Sequence, residues 1–241
     1  MSGELDVTRA EVCVAACADL FASDGEILAS PMGLIPQLGA KLARLTGAPE
    51  LLLSDGEATL LGPDGEPEGW LPFRQVFDVV AHGRRHVVMG ANQVDRFGNQ
   101  NISAIGPHDR PTRQLLGVRG APGNTANHRT SYFVPRHSRR VFVDAVDVVS
   151  GVGYDRAGGL TFHDVHRVVT NLAVFDFDNP DRSIRLRSVH PGVDPEEVAA
   201  RTSFPLVLDG VPATRVPTPG ELDLIRTRLD PDGTREKVVP S

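Results

Sequence analysis

The 241-residue sequence contains no apolar run long enough to cross a membrane. Its longest apolar stretches, such as Leu51-Leu52-Leu53 and Val87-Val88-Met89, fall far short of the ~20 residues a bilayer demands. It contains only two cysteines, which excludes a disulfide framework and a four-thiolate zinc site. It has no long basic run, and 25 basic against 31 acidic residues leave a net charge of −6. That balance argues against a nucleic-acid partner. The start, Met-Ser-Gly-Glu-Leu-Asp, lacks the basic segment and apolar block of a secretion signal. Together these absences lead us to expect a cytoplasmic protein with no membrane or nucleic-acid partner. What remains is ordinary: 40% apolar and 23% charged residues, in a chain long enough for its own core. No repeat or linker interrupts it, so one domain over 1–241 is expected, with a core at 8–205 and a C-terminal helix and tail at 206–241.

The first third alternates helix and strand. Thr8 and Glu11 have capping-box spacing, and Val12, Ala15, Ala16 and Leu20 follow helical periodicity. Glu26–Ala29 reads as a strand, and Leu34–Leu45 as a helix with Pro36 in its first turn and Gly47 at its end. Leu51–Leu53 and His86–Met89 read as buried strands, separated by a polar loop at Gly62–Gly69 and a helix at Phe73–Ala81. This alternation predicts parallel βαβ units. Beyond residue 113 the texture becomes β-rich. Strands are predicted at Gln114–Val118, Tyr132–Val134, Arg140–Val149, Val165–Phe177 and Ser183–Val189. Short helices follow Pro195 and Pro219, and the charged tail from Asp230 is expected to fray.

Several local features carry less than they suggest. Cys13 and Cys17, four apart on a helix, sit too far from each other for an unstrained disulfide and read as small buried hydrophobes. The pairs His82/His86 and His163/His166 do not share a face, so no metal is expected. Gly151-Val152-Gly153 with Gly158-Gly159 lacks the spacing of a nucleotide loop and reads as a turn. Ser131, Ser138 and Ser150 lack the context of a hydrolase elbow. Three polar loops stand apart, at Ser54–Glu57, Gly90–Asn101 and Gly117–Asn124. Each follows a predicted buried strand, and open α/β sheets bind ligands beyond the carboxyl ends of their strands. Their glycines permit close backbone approach, and their amides are neutral donors for an oxyanion or carbonyl. Ordinary turns use the same residues, but three such loops at one sheet end favour an active-site mouth.

On these loops the chain resembles the beta subunits of class I coenzyme A transferases, over roughly residues 8–205. The segment Gly90–Asn101 is similar to the family's Gly-Ala-x-Gln-Val-Asp-x-x-Gly-Asn-x-Asn. Gly117–Asn124 is similar to its Gly-x-Gly-Gly-Ala-Asn loop, departing at Arg119, Pro122 and Gly123. Val168–Phe175 and His190–Val193 are also family-like. Where the transferases carry a nucleophilic glutamate in Ser-Glu-Asn-Gly, this chain reads Ser54-Asp55-Gly56-Glu57. Asp55 is one methylene short and Glu57 is displaced by two residues, which speaks against ordinary transfer. Leu53–Ala58, Glu68–Phe73 and Gly83–Gly90 look instead like the beta subunits of actinobacterial steroid ring-cleaving hydrolases.

The resemblance implies a three-layer α/β fold of the CoA-transferase type, parallel in its N-terminal half with a β-rich C-terminal extension. It implies an alpha-subunit partner in an α2β2 assembly, an acyl-CoA substrate, and no metal or redox cofactor. The implied reaction is hydrolytic opening of a cyclic β-keto acyl-CoA in cholesterol ring degradation. CoA transfer is the alternative, and a non-catalytic ligand sensor a third reading. Candidate catalytic residues are Asp55, Glu57, Asn92 and Gln93, with Gln93, Asn92 and the backbone N–H groups near Gly117 and Gly120 as the expected oxyanion donors. The candidate substrate or CoA set is Ser54, Arg85, Gly90, Asn99, Asn101, Gly117, Arg119, Gly120 and Asn124. Arg84, Arg85 and Arg119 could pair with a substrate carboxylate or CoA phosphates, although two adjacent arginines commonly lie on a solvated surface.

Overall fold

The structure is a computed structural model that describes residues 6–62 and 64–239. The start at residues 1–5, Pro63 of the 62–69 loop and the last two residues of the tail lie outside it. Nine strands form one sheet: β1 (Leu28–Pro31), β2 (Leu52–Ser54), β3 (Thr59–Leu61), β4 (Pro67–Trp70), β5 (Arg85–Gly90), β6 (Arg129–Val134), β7 (Asp164–Thr170), β8 (Ala173–Asp176) and β9 (Arg185–Val189). Their order is β9-β8-β7-β6-β5-β1-β2-β3-β4. The five central strands, β7 to β2, pair in parallel, and an antiparallel pair is added at each edge. The parallel half and the β-rich half are therefore one sheet.

Helices cover both faces, which lets the central strands be apolar on both sides. One layer holds α1 (Arg9–Asp19) and α2 (Leu34–Thr46). The opposite face carries α4 (Ala121–Asn127), α5 (Pro195–Ala200) and the irregular segments between β5 and β7. The expected capping box of α1 is present. The helix α3 (Phe73–His82) buries only Val80, so most of its apolar side is left open. The chain order reverses between β1 and β5, and that switch point opens a crevice at the carboxyl ends of the strands.

Several expectations need correction. Arg140–Val149 is not a strand; one bridge, Phe142 to Val94, is all that pairs there. Of Gln114–Val118, only Gln114 is in a strand, within a two-residue ladder to Ala104–Ile105. The third polar loop therefore follows no buried sheet strand, and reaches the sheet end by a long excursion. The charged tail does not fray within the described residues. The helix α7 (Arg235–Val238) and the turn Ile225–Leu229 that follows α6 (Pro219–Leu224) are tied to α1, where Glu11, fully buried, accepts hydrogen bonds from Arg226 Nε (2.7 Å) and Arg235 Nη2 (2.8 Å).

Candidate active site

A cleft of about 850 Å³ lies at the switch point, between the sheet end, α3 and α4. Its walls are mainly apolar, including Met32, Met89, Phe133, Phe77 and Val80. The rim is apolar and bare: Trp70 is 69%, Phe73 75% and Leu116 95% exposed. A volume near the top of the usual ligand-pocket range suits a large, mostly hydrocarbon substrate.

The β2–β3 turn brings Glu57 into this cleft but holds Asp55 out of its lining. Asp55 Oδ1 accepts the backbone N–H groups of Glu57 (2.8 Å), Ala58 (2.9 Å) and Thr59 (3.0 Å). Burial alone would raise its pKa, but the bonds from Glu57, Thr59 and Ala58 outweigh it and hold the carboxyl below its usual range. Ser54 Oγ donates to Ala29 O (2.8 Å) and accepts from Gly56 N–H (3.2 Å). Gly56 has φ +90°, and a Cβ there would stand 2.3 Å from Pro31 O, so the turn requires glycine. Asp55 and Ser54 thus shape the turn that presents Glu57. Among the described lining residues Glu57 is the only carboxylate, and it pairs at 3.3 Å with Arg119 across the mouth.

The loop after β5 divides sharply. Gly90 and Asn92 line the cleft, and the Asn92 carboxamide makes no hydrogen bond among the described residues. Gln93 is buried and spent: its Nε2 donates to Asp147 Oδ2 (2.9 Å), while its Oε1 accepts from Asn101 Nδ2 (2.7 Å) and Asp147 N–H (2.9 Å). Asn99 donates to Asp95 and Asp155 and accepts from Gly153 N–H. Asn101 donates also to Ala104 O and accepts from Ser103 N–H. The expectation that Gln93 donates to an oxyanion, and that Asn99 and Asn101 meet substrate, is therefore corrected: burial forces these amides to satisfy one another. Gly153 presses on this loop so closely that a Cβ would stand 2.4 Å from Phe97 O, which accounts for the glycines at 151–153 by packing.

The third loop supplies Gly117, Arg119 and Gly120 to the mouth. The Gly117 N–H is already given to Ile102 O (3.1 Å), which removes it as an oxyanion donor; no such bond ties the Gly120 N–H among the described residues. Arg119 keeps a left-handed φ of +46°, a strained conformation for a non-glycine residue. Its 65% exposed side chain reaches Glu57.

Arg85 and Asn124 complete the site. Strand alternation turns Arg85, Val87 and Met89 toward α3 and α4, while Arg84 precedes the strand and is exposed. Arg85 is 4% exposed and donates through Nη2 to Asn124 Oδ1, while its Nε has no partner among the described residues. Burial lowers its pKa to about 10. Sequence reasoning missed the contributions of α3 and Trp70 to the wall. It also missed a fully buried relay in which His86 Nδ1 meets Asp24 (2.6 Å) and Nε2 meets Ser131 Oγ (2.9 Å). That relay faces away from the cleft lining and ties β5 and β6 to the segment before β1.

An open α/β sheet with a glycine-rich mouth at its switch point is the architecture of a CoA-transferase-type subunit. Glutaconate CoA-transferase of Acidaminococcus fermentans has the same fold, with a TM-score of 0.82 at 21% identity, covering 98% of each chain. A 3-oxoadipate CoA-transferase subunit of Pseudomonas knackmussii is 30% identical over 80% of this chain and 82% of its own. The cholesterol ring-cleaving hydrolase IpdB subunit of Rhodococcus jostii is 57% identical over 97% of both chains. The R. jostii IpdAB crystal structure matches with a TM-score of 0.93 over 98% of this chain and all of that one. No protein-family model matches the chain. The chain belongs, within the CoA-transferase family, to the cholesterol ring-cleaving hydrolase IpdB subunits.

Proposed function

We infer that this chain is the beta subunit of a heteromeric hydrolase that cleaves a carbon ring in cholesterol degradation. The observation that carries the reading is 57% identity to the IpdB subunit over nearly the whole of both chains. The β2–β3 turn supports it, since Asp55 is committed to three backbone N–H groups where the transferases carry a nucleophile.

The substrate we propose is a cyclic β-keto acyl-CoA. Water adds to the ring ketone carbon. The bond from that carbon to the carbon bearing the thioester breaks, and its electron pair forms the thioester enolate. Protonation of the enolate carbon completes a ring-opened acyl-CoA with one new carboxylate, at the cost of one water. The Asn92 carboxamide and the Gly120 N–H are the donors this chain offers to the developing oxyanions. Glu57 orients the attacking water. Its exposed side chain pairs with Arg119 at 3.3 Å across the mouth. No histidine lines the cleft among the described residues, so the proton-abstracting base comes from the alpha subunit. The same subunit covers the bare rim of Trp70, Phe73 and Leu116, in an α2β2 assembly. The reaction as written uses no metal or redox cofactor, and CoA is part of the substrate. No described helix is long and apolar enough to cross a membrane; a cytoplasmic location is our proposal.

The test is hydrolysis in ¹⁸O-labelled water by the chain co-expressed with its alpha partner. A ring-opened product with the label in its new carboxylate and the thioester intact supports the reading. The 30% identity to a transferase subunit motivates the alternative. An intact ring, CoA moved to an added acid, and a borohydride-reducible thioester on Glu57 would establish transfer instead.

A further inference from the structure

We propose that the seat of Val80 on Gly123 sets the width of the cleft and so limits how bulky a hydrocarbon substituent the substrate ring can carry, with Gly123 as a positioning residue that acts through Val80. The proposal rests on the ring-cleaving reading of the same cleft and adds what determines its selectivity for size.

The helix α3 turns one stripe to the cleft, formed by Phe73, Val76, Phe77 and Val80 at i, i+3, i+4 and i+7. Of these only Val80 is buried. It rests against Gly123 of α4, where a Cβ would stand 2.5 Å from Val80 Cγ1. Carbon atoms in ordinary contact lie ~3.5–4.0 Å apart, so any side chain in place of Gly123 would force Val80 to move by about 1 Å or more. The Gly123 backbone is not left-handed, so no turn demands a glycine there. Glycine also weakens a helix interior. The room taken by Val80 is the feature of the structure that requires it. Pro122 and Gly123 are moreover positions at which this loop departs from the transferase sequence.

The surroundings fix the direction of the movement. Val80 O accepts hydrogen bonds from His128 Nε2 (2.8 Å) and Asn127 Nδ2 (3.3 Å), which pin the backbone of α3 to the end of α4. The Val80 side chain is therefore the part that yields. Val80, Ala121 and Asn124 line the cleft, while Gly123 is not among its described lining residues. Gly123 thus stands behind Val80 as seen from the substrate. Filling it pushes Val80 into the cleft, and trimming Val80 widens the cleft. The neighbouring lining of Phe77 and Met89 is apolar, so the group that meets Val80 is hydrocarbon rather than the polar nucleotide of CoA.

The experiment uses the co-expressed complex and two substrates, 2-oxocyclohexanecarbonyl-CoA and the same thioester with a propyl group on its ring. The readout is the ratio of kcat/KM, substituted over plain. Gly123→Ala should lower this ratio about 10-fold or more, chiefly through KM, since misplacement by 1 Å can cost ~100-fold. Val80→Ala should raise it. Combining the two substitutions should restore the ratio at least to the wild-type value, because the clashing methyl is gone. A merely structural role would lower both rates together and leave the ratio where it was. The same ratio is read from the dissociation constants of the two ketone-free analogues, cyclohexanecarbonyl-CoA and its propyl derivative. Failure of the wild type to open either ring would therefore count against the ring-cleaving reading alone, with binding still deciding the proposal. If Gly123→Ala does not assemble, Val80→Ala decides it. A ratio that does not rise in Val80→Ala, or a double variant as low as Gly123→Ala, would overturn the proposal.

Discussion

Replacing Asp55 separates a turn-former from a nucleophile. Its Oδ1 accepts three N–H groups at 2.8–3.0 Å, and its charge strengthens each bond. Hydrogen bonds to charged groups contribute about 1.5–3 kcal/mol each. Three on one oxygen share its lone pairs, and the residue is half-buried, so they do not add. We assign about 2–3 kcal/mol to the set. Asp55→Ala removes all of it, releases the turn that presents Glu57, and should lower both stability and turnover. Asp55→Asn keeps a carbonyl oxygen in the same place and should cost about 1 kcal/mol, with turnover within roughly 10-fold of wild type. The depressed pKa sets a pH window. A carboxylate below its usual pKa contributes stability that is present above the ordinary aspartate value of 3.8 and is lost as pH falls through its lower folded value. The assay is ring-opening rate beside urea unfolding of the complex, for both variants. A loss of ~1,000-fold in Asp55→Asn at unchanged stability would refute the structural role and make the carboxylate part of the chemistry.

Two further perturbations test the frame and the mouth. Glu11 is opposed by burial but held down by Arg226, the Thr8 N–H and Arg235, which bring its pKa from 4.5 to about 2. At 1.36 kcal/mol per unit this is about 3 kcal/mol, and roughly 2 after allowing for the half-exposed Arg226. That stability is present above pH 4.5 and disappears as pH falls toward 2; Glu11→Gln should lose it at pH 7 and flatten the acid limb of the urea midpoint against pH. At the mouth, Arg119→Gly relieves the left-handed strain, against the entropy cost of glycine. Stability should stay level or rise by up to about 1 kcal/mol while turnover falls about 10-fold through loss of the Glu57 contact; a drop in melting temperature would refute the strain argument.

The elements legible in the sequence were those whose signal is local. The capping box of Thr8 and Glu11, the apolar periodicity of α2 and α3, and the runs entering β2 and β5 each point to the element found. The β7–β8 hairpin, Asp164–Asp176, nearly coincides with the β-branched stretch Val165–Phe177. The misses have physical causes. The helix α4 contains Pro122 and Gly123, poor helix formers, and stands because tertiary contacts bury Ala121, Asn124 and Thr125. The strands β3 and β4 are short, the first half-buried throughout and the second mostly exposed, so no alternation marks them. The Arg140–Val149 stretch has strand-like residues but only one bridging partner. At the tail, charge suggested solvent because nothing local reveals that Glu11, more than 200 residues away, awaits Arg226 and Arg235.

The site shows a deeper limit. The segment that made the family recognisable, Gly90–Asn101, spends Gln93, Asn99 and Asn101 on one another and on Asp95, Asp147 and Asp155. Buried amides in such a network tolerate little change, because each substitution strands a partner. A recurring motif of this kind is therefore explained by folding, whichever reaction the protein performs. It can be shared by ring-cleaving hydrolases and by transferases at 30% identity. The chemistry must differ where the network is open, and on this chain that is the β2–β3 turn, Asn92, Arg119 and the Arg85–Asn124 pair. Of these, the turn has exchanged a nucleophile for a carboxylate bound to its own backbone, while Arg85 keeps an unsatisfied donor. The frame fixes where the cleft lies, and those few open groups decide what chemistry it can support.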